Sequence, residues 1–184
     1  MIKGTINNLR FHWNMVKGLK DTSSLIMIGA SLTESAPDTF TESRVDLQLN
    51  PLDNEVFVVQ AIDINVSSPD VNGNLASATF ASVSTTSRTT IGSIADSDVM
   101  GVAQHNIRND GTVAVGFTQF SPETPTATDL PYVSIIATND FFIQILGQNN
   151  LIAKDCQVRV YGYRAKATDP SVYAALVQSE LLSS

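Results

Sequence analysis

Cys156-Gln157-Val158-Arg159-Val160-Tyr161-Gly162-Tyr163-Arg164-Ala165-Lys166-Ala167 runs into Thr168-Asp169-Pro170-Ser171 and then Val172-Tyr173-Ala174-Ala175-Leu176-Val177. The first twelve residues alternate. Cys156, Val158 and Val160 fall on one face of an extended chain, and Gln157, Arg159, Tyr161 and Tyr163 on the other. The period then changes. Asp169 before Pro170 suits an N-cap and first helical turn. Val172, Tyr173, Leu176, Val177 and Glu180-Leu181 follow helical spacing. A long strand closed by a short helix over 169–182 is therefore the best-defined pair of elements. Such a strand needs strand neighbours, and the preceding sequence supplies them.

Runs with strand character occupy 24–32, 44–50, 55–66, 75–85, 99–104, 112–120, 132–138, 141–146 and 156–166. Between them stand turn signals: Asn50-Pro51, Asn72-Gly73-Asn74, Asn109-Asp110-Gly111, Asn139-Asp140 and Gly147-Gln148-Asn149-Asn150. Asp110-Gly111 is the clearest hairpin turn. Ser121 to Pro131 holds three prolines and reads as a long exposed loop. Eight or nine such strands predict an all-β fold, a two-sheet antiparallel sandwich of jelly-roll type. Strand order is not readable at this level.

The chain has 184 residues, enough for one full core, and only 16% of them are charged. Its net charge of −7 is unevenly spread. Residues 1–20 carry Lys3, Arg10, Lys17 and Lys20 and no acid, whereas the remainder sets seven basic residues against eighteen acids. Ile2, Ile6, Leu9, Trp13, Val16 and Lys20 recur at three- and four-residue steps. That spacing predicts a basic amphipathic arm or helix over residues 1–22, ahead of a sandwich domain over 23–184. Leu25–Ala30 is too short for a signal-peptide core and reads as a strand.

Catalytic patterns are missing from the sequence. There are two histidines, His12 and His105, and no nucleophile elbow, zinc-protease motif or phosphate-binding loop. The single cysteine, Cys156, opens a strand and reads as a small buried apolar residue, and it cannot form an internal disulfide. Asp70-Val71-Asn72-Gly73-Asn74 reads as an Asn-Gly turn rather than a calcium loop, and Asp96-Ser97-Asp98 as a solvated loop rather than a cation site. No catalytic, cofactor or metal residue is assigned.

A β-rich body under two hundred residues long, a short basic N-terminus and few charges resemble single jelly-roll coat proteins of small viruses. The closing Val-Arg-Val-Tyr-Gly-Tyr-Arg strand (158–164) and its helix are similar to the same group. The resemblance implies a major capsid protein subunit in rings of five or six, assembled in the host cytoplasm and resident in the virion shell. Its homo-oligomeric contacts, or contacts with the interior, are expected at Lys3, Arg10, Trp13, Lys17 and Lys20 of the arm and at Tyr173, Leu176 and Leu181 of the helix. The arm is expected to meet neighbouring subunits first, and genome nucleic acid or an internal membrane second. Four cations are few for packaging nucleic acid. A carbohydrate-binding or adhesion module is the alternative, with Tyr132, Tyr161, Tyr163 and the proline-rich loop over 121–131 as its ligand surface.

Overall fold

The computed structural model describes residues 16–72, 75–109, 115–120 and 130–182. Along them lie β1 (Leu19–Asp21), β2 (Ile26–Thr33), β3 (Thr41–Asp46), β4 (Glu55–Val66), β5 (Ser77–Ser84), β6 (Val99–Asn109), β7 (Val115–Phe120), β8 (Ser134–Ile136), β9 (Asp140–Gln148), β10 (Asp155–Ala167) and α1 (Pro170–Leu182). All strand pairings are antiparallel and form two sheets.

One sheet runs β2–β10–β4–β8, with β1 beside the far end of β10, and the other runs β3–β9–β5–β6–β7. Set aside β1 and β7, and number the remaining eight strands in chain order. The first sheet is then first–eighth–third–sixth and the second is second–seventh–fourth–fifth. This interleaving of two Greek keys is the jelly-roll connectivity.

β10 carries the pattern read from its sequence. Cys156, Val158 and Val160 are buried between the sheets, against Phe57, Val59 and Ile62 of β4 and Ile143 and Ile145 of β9. A β-bulge breaks the β4–β10 register at Tyr161/Gly162, where Tyr161 faces Ala61 and Gly162 faces Val59. The extra β4 residue, Gln60, lets Phe57 and Val59 before it and Ile62 and Val66 after it all reach the core. Gly162 is obligatory here. A Cβ would stand 2.3 Å from the Val58 carbonyl oxygen and 2.5 Å from the Phe57 ring.

Beyond the bulge the outer face of the sheet is also covered. Tyr163, Ala165 and Ala167 of β10 and Val56 and Val58 of β4 form a second apolar cluster with Leu19, and Val172, Tyr173, Leu176 and Val177 of α1 pack on it. The apolar stripe read in the helix thus lies on its own sheet. Asp169 caps α1 as expected: its carboxylate accepts from the Ser171 N–H at 2.7 Å.

Three expectations are corrected. Residues 19–21 form β1 within the sheet, so the body begins before residue 23, and Val16 joins the cluster beneath α1. Residues 1–15, which hold most of the expected arm, lie outside the described residues. The strand expected over 44–50 spans Thr41–Asp46 instead. The Asp46 carboxylate accepts from the Gln48 N–H and Gln48 turns left-handed at φ 51, so Leu47 and Leu49 reach the core from irregular chain. β6 runs to Asn109, longer than expected, and pairs with β7; the expected Asp110-Gly111 turn lies outside the described residues.

Candidate interaction surfaces

Both chain segments flanking the sandwich meet at one end of the molecule. Gly18, at φ 87, turns the chain into β1, and its carbonyl accepts from the Thr168 N–H at 3.0 Å and from Thr168 Oγ1 at 3.1 Å. Val172 of α1 lies against Gly18. Lys17 and Lys20 are exposed there, while Leu19 between them is buried. Lys3, Arg10 and Trp13 lie outside the described residues. Tyr173 and Leu176, expected to contact a neighbour, are half-buried against their own sheet. Leu181 and Leu182 point away from it and are exposed.

Glu180 is the residue that pins α1, and an apolar-stripe reading of the helix overlooks it. Its carboxylate accepts from the N–H groups of Ala137 (2.8 Å) and Thr138 (3.0 Å) and from Thr138 Oγ1 (2.8 Å). Burial raises its pKa, against the hydrogen bonds from Thr138 and Ala137 that lower it. Beside it opens a cleft of about 360 Å³, lined by Thr85, Ser97, Tyr132, Ser134, Leu176 and Ser179 among others. Tyr132 borders that cleft, Tyr161 lies on the open outer face of the sheet with its hydroxyl 2.9 Å from Asp63, and Tyr163 is 7% exposed beneath α1. Of the three tyrosines expected to make one ligand surface, Tyr161 and Tyr163 share the outer face of β10 but Tyr163 is withdrawn from solvent, and residues 121–129 of the loop expected to join them lie outside the described residues.

At the opposite end, the connections β2–β3, β4–β5 and β9–β10 are locked together by buried polar groups. Lys154 is 4% exposed at its side chain, and its Nζ lies 2.6 Å from Asp70 Oδ1. The other Asp70 oxygen accepts from the N–H groups of Leu151 (2.8 Å) and Ile152 (3.2 Å). The hydrogen bond from Lys154 holds the Asp70 carboxyl below its ordinary pKa. Asn150 Oδ1 accepts from the Asp70 N–H (2.9 Å), its Nδ2 donates to Ala78 O (2.8 Å), and its N–H donates to Asp38 Oδ1 (3.0 Å). Buried Glu34 accepts from the N–H groups of Gly147 and Lys154. On this rigid frame stand Val71, Leu75, Leu151 and Ile152, each more than half exposed.

The outer face of the second sheet is strapped by residues 85–98. Arg88 reaches both Asp98 oxygens at 2.6 and 2.8 Å and Asp96 at 2.7 Å. The Asp96-Ser97-Asp98 carboxylates are thus engaged within the chain rather than solvated. Glu42 of β3 accepts from Ser87 Oγ and the Arg88 N–H, both at 2.7 Å, and from Gln144 Nε2 at 3.0 Å. Gln144, fully buried, also accepts from Ser82 and donates to Ser84.

Reactive chemistry is not assembled at any of these places. Cys156 is 1% exposed, and burial pushes its thiol up to about 12, which keeps it a thiol. His105 is buried, and burial lowers its pKa. Among the described residues no three His, Cys, Asp or Glu side chains gather as a metal site. No protein-family model matches the chain, and no curated protein matches it significantly. The molecule is defined by its fold and its surfaces: a jelly roll with a clamped terminal helix at one end and a rigid apolar tip at the other.

Proposed function

We propose that this chain is a structural, self-assembling protein, and specifically a subunit of a virus capsid shell. The observation that carries the reading is the tip. Four large apolar side chains, Val71, Leu75, Leu151 and Ile152, stand in water on a frame fixed by a buried ion pair and backbone hydrogen bonds. An apolar patch held this rigidly is a feature of binding surfaces, since a monomer gains nothing by displaying it. Jelly-roll connectivity adds a fold-level analogy with capsid domains. Lectin and cupin domains share that architecture. Burial of Tyr163 beneath α1 counts against the sugar surface expected on this chain. Two histidines, His12 and the buried His105, do not suit a cupin metal cluster.

In this reading the tips of five or six copies meet around a ring axis. The basic residues Lys3, Arg10, Lys17 and Lys20 serve the shell interior, meeting neighbouring subunits first and nucleic acid or an inner membrane second. Size-exclusion chromatography with light scattering, followed by negative-stain microscopy of the full chain, tests it. Rings or closed particles are the expected result. A monomer that persists at every concentration, salt and pH overturns the proposal.

A further inference from the structure

β2 is an edge strand. It pairs with β10 on one side, and among the described residues no backbone group pairs with its other side. The orientation of its free groups follows from the ladder. The Glu34 N–H donates to the Lys154 carbonyl, which places Glu34 and Lys154 in the hydrogen-bonded class of antiparallel pair. In the same register Leu32 faces Cys156, Ala30 faces Val158 and Ile28 faces Val160. Even-numbered residues of β2 therefore bond to β10. The N–H and C=O groups of Met27, Gly29, Ser31 and Thr33 point out of the sheet edge.

Natural edges are ordinarily blunted by charge, proline, shortness or cover. Among the other edges, β8 is three residues long and β7 adjoins segments outside the described residues. β3 carries Glu42, Arg44 and Asp46, with Arg44 paired to Asp140 at 2.6 Å. β2, Ile26-Met27-Ile28-Gly29-Ala30-Ser31-Leu32-Thr33, has no such protection, and no charged residue lies anywhere between Asp21 and Glu34. Met27 is 65% exposed, and Ile26, Ile28, Ala30 and Leu32 are only half-buried although they face the core. At the strand's midpoint is Gly29. Its φ is not positive, and a Cβ there would meet nothing within 4 Å. Among the described residues no contact requires this glycine, and glycine weakens a strand interior. A glycine of this kind marks close approach by a backbone from outside.

We infer that the open edge of β2 pairs with β2 of a second copy of this chain, antiparallel about a two-fold axis near Gly29, joining two first sheets into one continuous sheet. The register favours such a pair. With Gly29 opposite its own copy, Met27 stands opposite Ser31, so the outward-pointing groups of Met27, Gly29 and Ser31 find partners while core-facing residues stay on one face. The charge pattern favours a second copy as the occupant. Two chains of net charge −7 repel each other, and an uncharged strip of twelve residues is where they can meet without adding local repulsion. This contact rests on the self-assembly reading and adds a strand-to-strand contact distinct from the apolar tip.

Ser31→Pro removes one outward N–H while leaving the ladder to β10 intact, and Met27→Lys adds a charge to the edge. The full chain and both variants are compared by sedimentation across a concentration series, with amide exchange at residues 27, 29 and 31. Assembly should slow exchange at those amides by at least about tenfold, and each variant should weaken association by at least about tenfold. Should Ser31→Pro fail to fold, Met27→Lys decides the matter. Wild-type assembly in which those amides still exchange freely and the variants associate normally overturns the edge pairing while leaving self-assembly standing. A wild-type chain that is monomeric throughout overturns both.

Discussion

β10 and β2 are neighbours in one sheet, and each carries a glycine in mid-strand. At Gly162 of β10, a Cβ would stand 2.3 Å from the Val58 carbonyl and 2.5 Å from the Phe57 ring. At Gly29 of β2, a Cβ would find open space. The first glycine is dictated by the chain's own packing, at a bulge that keeps β4 facing the core. The second is dictated by nothing among the described residues. Comparing them separates what the fold requires of the sequence from what the surface requires.

Replacing Gly162 with alanine should have the largest effect. The obstructing atom is a backbone oxygen in a central strand, which cannot step aside as a flexible side chain would. Overpacking of this kind costs at least about 3 kcal/mol. In a chain of this size the melting temperature should then fall on the order of 10 °C. Calorimetry or thermal circular dichroism measures this. A loss below about 1 kcal/mol would mean the bulge relaxes easily, and the contrast between the two glycines would weaken.

Asp70→Asn comes next, because it strands a buried cation. Lys154 loses its charged partner, at a cost of about 3 kcal/mol. The pH dependence is specific. Asp70 has a lowered folded pKa, so its contribution is present above the ordinary carboxylate pKa of 3.8 and is lost as pH falls through the folded value. Urea unfolding should show the deficit between variant and wild type narrowing below about pH 4.

Glu180→Ala should cost less, about 1–2 kcal/mol, through loss of the acceptor for two backbone N–H groups. Its pH dependence has the opposite sign. Burial raises the Glu180 folded pKa, so its protonated form is favoured by folding, and wild-type stability from this group is lost as pH rises through that value. The deficit of the variant should therefore widen as pH falls from neutral through the raised pKa. A deficit that moved the same way as that of Asp70→Asn would show that the hydrogen bonds from Thr138 and Ala137 outweigh burial at this carboxylate.

Legibility in the sequence followed how local each cause is. The alternation of Cys156, Val158 and Val160 and the Asp169 cap depend on near neighbours, and both were readable. β1 was not, because Leu9, Trp13, Val16 and Lys20 also fit a helical period. The strand over 44–50 was drawn too long, because Leu47 and Leu49 continue an alternation that the left-handed Gln48 interrupts. Glu180 falls on the helical spacing of the sequence, but its partners, Ala137 and Thr138, lie over forty positions away and no local pattern names them. The clasp of Arg88 on Asp96 and Asp98 and the joining of Asp70 to Lys154 depend on loop geometry, which no periodicity encodes. The interleaved strand order is likewise a property of long-range pairing. Of the expected contact residues in the helix, Tyr173 and Leu176 pack on the chain's own sheet, and Leu181 is exposed.

Gly29→Ala should have the smallest effect on the folded monomer, and it sharpens the comparison most. Alanine adds a methyl group to the exposed outer face of β2, where no atom of the described residues lies within 4 Å. It also restricts the unfolded chain, which by itself stabilises the fold by roughly 0.5 kcal/mol. Urea unfolding at a concentration where the chain is dissociated should therefore show a change within about 0.5 kcal/mol of zero, on the stabilising side. A loss of about 2 kcal/mol or more would give Gly29 a structural role within the monomer. The two glycines would then be alike, and the edge of β2 would lose one of its marks as a surface shaped by something outside the chain. A neutral or stabilising result keeps them apart. It would leave an uncharged, open strand with a glycine at its centre that costs the monomer stability, which is intelligible where the strand's partner belongs to another copy.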